Sequence, residues 1–217
     1  MKLIPIGKVH DILKVYTSKF EAPSVTLMKI RGSEPFKILV STILSARTND
    51  KVTAPVSERL FKTVKQLNDF KKLSLKKIEK LIYPVGFYRT KARHLKLLPK
   101  VIDEKFGGKI PKTIDELILL PGVGRKTANL VMTEAFDQYA ICVDTHVHRI
   151  MNRLGYVKTK TPLQTEMALR KKLPKQYWKT INPVLVAFGQ NHCKPINPKC
   201  STCPIKKYCN KVGIRGS

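Results

Sequence analysis

The sequence predicts an all-α protein. Apolar residues recur at spacings of three and four in one segment after another, the period of helices with one buried face. Capping residues and first-turn prolines punctuate those segments, as at Thr113 with Glu116 and at Thr161-Pro162-Leu163-Gln164. No convincing pair of strands joined by a turn appears, and there is no internal repeat or low-complexity segment. Roughly ten helices are expected.

Residues 9–20 read as a short helix. A stronger one begins at Pro35, where Phe36, Leu39, Val40, Ile43 and Leu44 form one stripe. It ends in the polar break around Ser45-Ala46-Arg47-Thr48, with Asn49 or Asp50 as cap of a helix over 51–64. Pro55 is acceptable there only in or near the first turn. Residues 75–82 make a helix on Ile78, Leu81 and Ile82. The loop Tyr83-Pro84-Val85-Gly86-Phe87-Tyr88-Arg89 follows, with three aromatics beside a cation. Such a loop suits contact with bases and phosphates, and suits plugging a core equally well. A helix over 90–106, with Pro99 as a point of bending, stops at Gly107-Gly108.

Residues 113–135 form a pair of helices joined by Pro121-Gly122-Val123-Gly124. The glycines allow a tight hairpin with positive φ. They also leave backbone N–H groups uncovered at the start of the second helix, where the dipole favours an anion. Arg125 and Lys126 follow within its first turn. By itself this is an ordinary turn beside a solvated lysine as readily as a phosphate grip with an aimed amine.

The apolar run Tyr139–Val143 leads to Asp144, placed as the N-cap of a helix whose face is Val147, Ile150, Met151 and Leu154. Capping and a chemical role can coexist in one carboxylate. A helix from Thr161 to about 173 follows, and Trp178, Ile181, Leu185 and Phe188 mark the last long helix.

The chain has 217 residues with 42 Lys+Arg against 15 Asp+Glu, a net charge of +27. The basic residues are spread through the apolar periodicity, so this is a folded basic protein, and nucleic acid is its expected partner. A lysine-rich surface of thermophilic type would also be rich in glutamate, which this chain is not. The N-terminal apolar run is too short for a signal peptide, and no stretch approaches a membrane span. The expectation is an intracellular protein with no membrane partner.

Cys193, Cys200, Cys203 and Cys209 have the spacing C-x6-C-x2-C-x5-C. Four thiols in one compact loop suit a single metal centre, and zinc and an iron–sulfur cluster both accept four cysteines. The metal would fold a lysine-rich loop with few apolar residues. Cys142, in the apolar run, reads as a small buried hydrophobe.

Three motifs in this order resemble endonuclease III, a helix-hairpin-helix DNA glycosylase family with a C-terminal iron–sulfur loop. They are Leu120–Asn129 as the hairpin, Val143-Asp144-Thr145-His146 as the aspartate segment, and the four cysteines. The likeness runs from about residue 35 to 210. It implies two helical domains with a cleft between them: a six-helix barrel over 28–138, and a cluster domain from 1–27 plus 139–217. It turns the metal choice to a 4Fe–4S cluster on Cys193, Cys200, Cys203 and Cys209. It implies removal of oxidised or damaged pyrimidines from duplex DNA, with AP lyase nicking, by a monomer. Lys126 would be the nucleophile and Asp144 its partner. Gly122, Gly124 and Arg125 would hold the backbone, and Arg47 and Phe87 would fill the gap left by the extruded base. Many relatives have Gln and Leu at those last two positions, which leaves the opposite-base preference open. A lysine attacks only when neutral; Arg125, the helix terminus and partial burial would all disfavour its charged form. A mismatch glycosylase acting on uracil or thymine opposite guanine, and a non-catalytic helix-hairpin-helix DNA-binding protein, are the alternatives.

Overall fold

The computed structural model describes residues 4–20 and 32–214. The described residues contain eleven α-helices, one 3-10 turn and no strand. In chain order the helices are α1 (Ile6–Thr17), α2 (Pro35–Ser45), α3 (Asp50–Thr63), α4 (Asp69–Lys72), α5 (Leu75–Ile82) and α6 (Tyr88–Phe106). They continue with α7 (Ile114–Leu117), α8 (Arg125–Phe136), α9 (Thr145–Leu154), α10 (Pro162–Lys172) and α11 (Ile181–Asn191). The chain divides into two compact units, Ser24–Gln138 and Met1–Pro23 with Tyr139–Ser217. A boundary expected at 27–28 falls outside the described residues.

In the unit Ser24–Gln138, α2 is the central element. Phe36, Ile38, Leu39, Val40, Ile43 and Leu44 are all buried, together with Ser41 and Thr42. A helix apolar on nearly every side must be wrapped, and α3, α6 and α8 pack against it. Leu60, Phe70, Ile78, Leu95, Leu98, Ile102 and Val131 complete this core.

The caps explain the boundaries. Asn49 caps α3, accepting from the Lys51 N–H at 2.9 Å, and Ser74 caps α5. Thr113 accepts from the Glu116 N–H, so the cap forms, and its hydroxyl donates to the Glu116 carboxylate at 2.7 Å, where a capping box would use the Thr113 backbone N–H. Pro55 lies beyond the first turn, six positions after the cap. Helix α3 therefore runs on without that backbone donor. Helix α6 continues through a buried Pro99 and starts two residues earlier than the periodicity indicated. Helix α7 is a single turn, and Ile118 and Leu119 beyond it are exposed.

In the other unit, α1 and α9 pack on α11, and α10 packs on α9. Val9, Leu13, Val147, Ile150, Met151, Leu185 and Phe188 form its core. Ala140–Val143 lies outside any helix and is buried, Cys142 included. Gln164 reaches back to the Lys160 N–H at 2.8 Å, one residue before the cap it was expected to serve.

Leu39 is fully buried on the central helix. Leu39→Ala is expected to lower stability by about 2–5 kcal/mol, read as a drop in the denaturant midpoint at unchanged m-value.

Candidate functional site

The hairpin is built by one turn and one cap. The Val123 N–H donates to the Leu120 carbonyl at 3.1 Å. Pro121 fills the second position of that turn and Gly122 the third, with φ +78°. This is a type II turn, which needs positive φ at its third residue. A Cβ on Gly122 would also stand 2.7 Å from Nδ1 of His94. Gly124 differs from the sequence-based expectation. Its φ is −93°, ordinary extended backbone, and a Cβ there would meet nothing within 4 Å. Gly124 is the N-cap of α8 and has no side chain to cap it with. The first N–H groups of α8 therefore lie beneath open space, at the positive end of the helix.

Arg125 is half-buried and Lys126 is exposed. The partial burial expected for Lys126 is absent, because it sits on the outer side of the first turn while Thr127, Ala128 and Asn129 turn inward.

Arg47 and Phe87 stand together in the same unit. Both hold left-handed backbone, φ +55° and +57°, which is uncommon for residues with a side chain. Phe87 is 63% exposed, and the Arg47 guanidinium lies 5.8 Å from its ring centroid. Tyr83 of the same loop is 59% exposed, whereas Val85 is buried. Tyr83 and Phe87 thus point outward, and Val85 supplies the plug.

Beneath this pair is a residue the sequence reading missed. Lys91 is only 6% exposed. Its Nζ donates to the carbonyls of Leu44 (2.7 Å) and Ala46 (2.6 Å) and to Oγ1 of Thr48 (3.0 Å). Burial pushes its ammonium down to about 8. The charged form still prevails at neutral pH, and only that form has three protons for three acceptors. The signal was present: Lys91 lies at i−4, i−7 and i−11 from Leu95, Leu98 and Ile102, on the buried stripe of α6.

Asp144 belongs to the other unit. It is half-buried and caps α9, with Oδ1 accepting from the N–H groups of His146 and Val147, both at 2.9 Å. Arg149, one turn into α9, feels the Asp144 charge and donates to the carbonyls of Gly189 and Cys193.

Cys193, Cys200, Cys203 and Cys209 line one cavity, with Ile150, Leu154, Phe188 and Ile205 as its apolar wall. The loop is pinned to the end of α9. Arg153 donates to the carbonyls of Lys194 and Pro195, and Asn210 and Val212 bond back to Leu154 and Arg153. Arg153 and the Lys211 N–H also donate to the sulfurs of Cys193 and Cys209. Burial and the three other sulfurs push the Cys203 thiol up to about 11. Four thiolates placed this close repel one another unless a positive core lies among them, and iron supplies one. Four sulfurs around one cavity match the four-cysteine ligand set that a 4Fe–4S cluster takes.

Residues 40–175 match the HhH-GPD superfamily of base excision DNA repair proteins, and residues 193–209 match the iron-sulfur binding domain of endonuclease III. Endonuclease III of Thermotoga maritima is 45% identical over 186 residues, which is 86% of this chain and 87% of that protein. A solved non-covalent endonuclease III–DNA complex superposes with a TM-score of 0.84 at 34% identity, covering 95% of this chain and 94% of the other. A trapped endonuclease III–DNA covalent intermediate gives a TM-score of 0.77 at 38% identity, covering 82% and 84%. The fold and site define a DNA-binding enzyme of base-excision repair, a glycosylase/lyase that carries a 4Fe–4S cluster. The chain belongs to the endonuclease III family. No helix among the described residues is long and apolar enough to cross a membrane.

The two hairpin glycines should separate in their effects. Gly122→Ala is expected to lower stability by about 1–2 kcal/mol or more, from the positive φ and the His94 contact. Gly124→Ala should lower the melting temperature by only about 1–4 °C, the difference between glycine and alanine at a cap, while weakening DNA binding, because its methyl group fills the space above the helix terminus. Thermal unfolding and a DNA titration on both variants check this.

Proposed function

We propose that the protein removes oxidised or otherwise damaged pyrimidines from duplex DNA and nicks the strand at the resulting site, with Lys126 as nucleophile. The observation that carries this reading is the placement of an exposed lysine in the first turn of α8, directly after a glycine hairpin that opens the helix terminus. The N–H groups of Gly122 and Gly124, with Arg125 beside them, hold a backbone phosphate and fix the strand without reading its sequence. An enzyme acting on a base must first extrude it, at a cost of about a few kcal/mol. Arg47 and Phe87 fill the vacated stack: Phe87 wedges between bases and the guanidinium meets the orphaned partner.

Neutral Lys126 then attacks the anomeric carbon. The N-glycosidic bond breaks and the base leaves with the bonding pair. The new C–N link loses one proton; the C1′–O4′ bond then breaks, the ring oxygen takes a proton, and a protonated imine forms between Lys126 and the sugar. Removal of a C2′ proton then expels the 3′ phosphate, which nicks the strand. Asp144 assists proton removal from Lys126 and stabilises positive charge growing on the sugar. Both Asp144 capping bonds run to Oδ1, so the carboxylate is held in one orientation by α9.

The four cysteines hold the cluster, which supplies a structural centre for the lysine-rich loop 194–211; that loop adds to phosphate contact. With 42 basic residues against 15 acidic ones, attraction to duplex DNA needs no second copy of the chain, and we place the protein as a monomer inside the cell.

Borohydride reduction in the presence of abasic duplex should trap a covalent protein–DNA adduct. Lys126→Ala should abolish it, and Asp144→Asn, which keeps a capping oxygen, should slow it by about 10²-fold or more. An adduct that survives in Lys126→Ala would show another nucleophile.

Arg47 bears on the opposite base. A guanidinium only donates; guanine offers two acceptors on its major-groove edge, whereas adenine offers one acceptor and a clashing donor. Nicking of one lesion opposite guanine is expected to exceed nicking opposite adenine by about tenfold, and Arg47→Gln should narrow that ratio. Duplexes that differ only in lesion and opposite base measure it. The same panel separates a damaged-pyrimidine enzyme from one restricted to uracil or thymine opposite guanine.

A further inference from the structure

Two residues with left-handed backbone side by side at a surface need something to hold them. Arg47 lies in the connection after α2 and Phe87 just before α6, forty residues apart in sequence. Lys91, in the first turn of α6, ties the two connections together: its side chain reaches across to the carbonyl before Arg47 and the hydroxyl after it, on Ala46 and Thr48, while its backbone N–H makes the ordinary first-turn helical bond to the Phe87 carbonyl at 3.0 Å. The Thr48 hydroxyl in turn accepts from the Gly86 N–H at 3.1 Å. Close approach completes the join: a Cβ on Gly86 would stand 2.8 Å from the Arg47 carbonyl oxygen. The ammonium also meets the Leu44 carbonyl in the last turn of α2, where a cation is favoured.

We propose that Lys91 is a positioning residue for base extrusion: through its ammonium it locks the connection that carries Arg47 onto the start of α6, beside Phe87, as one rigid wedge. This rests on the reading of Arg47 and Phe87 as the pair that fills the vacated stack. Lys91 touches neither DNA nor the reacting atoms. Its effect is to remove the ordering that two exposed side chains would otherwise undergo when DNA binds. A buried lysine that only capped α2 would need the Leu44 contact alone; the bonds on both flanks of Arg47 are what the wedge adds.

The test uses strand nicking at one abasic site, presented in a duplex and in the same oligonucleotide single-stranded. A wedge matters where a stack must be filled and is idle where there is none. Lys91→Met, Phe87→Ala and the double variant are compared with wild type. Lys91→Met is expected to lower kcat/KM on the duplex about tenfold or more and to leave single-strand nicking within about twofold. The double variant should lose little beyond Phe87→Ala, since both changes disable one device. Should Lys91→Met fail to fold, Thr48→Val removes one of the three acceptors together with the Gly86 bond and should show the same pattern, smaller. Equal losses on both substrates, no loss on either, or full additivity with Phe87→Ala would each overturn the proposal. If Phe87→Ala itself leaves duplex nicking unchanged, the wedge reading fails and this proposal falls with it. If Phe87→Ala is impaired and Lys91→Met is not, only the role of Lys91 fails.

Discussion

The hairpin rests on the type II turn from Leu120 to Val123. Its one strained position, Gly122, reverses the chain between a one-turn helix and α8. The turn leaves Gly124 at the cap, so α8 begins without a side-chain cap bond. A serine or aspartate there would place its own oxygen over the first turn. The hairpin thus gives up a stabilising cap and leaves that space to a ligand. Everything argued for Lys126 follows, since its place in the first turn is set by the same cap.

A second theme is where the cations go. Carboxylates are scarce, so basic side chains turn to backbone carbonyls. Lys91 takes those of Leu44 and Ala46, Lys96 those of Phe70, Lys71 and Leu73, and Lys172 that of Tyr156. Arg59 takes the carbonyls of Leu81 and Tyr83, and Arg153 those of Lys194 and Pro195. Several of these carbonyls sit at helix ends, where orphan acceptors and the dipole both favour a cation. The basic composition that suits DNA is in this way also structural: lysine and arginine pin connections that acidic residues would otherwise help to hold.

Much of this was legible in the sequence. The stripe on α2, the caps at Asn49, Thr113, Asp144 and Thr161, and the burial of Cys142 follow from spacing and local chemistry, and the structure agrees. Other features were not legible, for identifiable reasons. The α4 helix and the 3-10 turn at Lys175–Tyr177 are too short to carry a period. Gly124 and Gly122 look alike in sequence, but only one has positive φ, because the turn hydrogen bond includes one and excludes the other. The exposure of Lys126 depends on which side of α8 faces α2. Lys91 was visible as a lysine on an apolar stripe, yet composition treats lysine as surface, and its acceptors lie more than forty residues away.

The charge excess itself has a thermodynamic side. With 42 cations and 15 anions, the folded chain is compressed against its own repulsion. Added salt screens that repulsion and firms the fold, and the same salt loosens the grip on phosphates. Stability and affinity therefore move in opposite directions as ionic strength rises. Duplex DNA escapes the conflict, because as a polyanion it relieves the repulsion while it is being bound. In that sense the substrate is also a stabiliser of the folded state, and the protein is at its most robust when it is on its target.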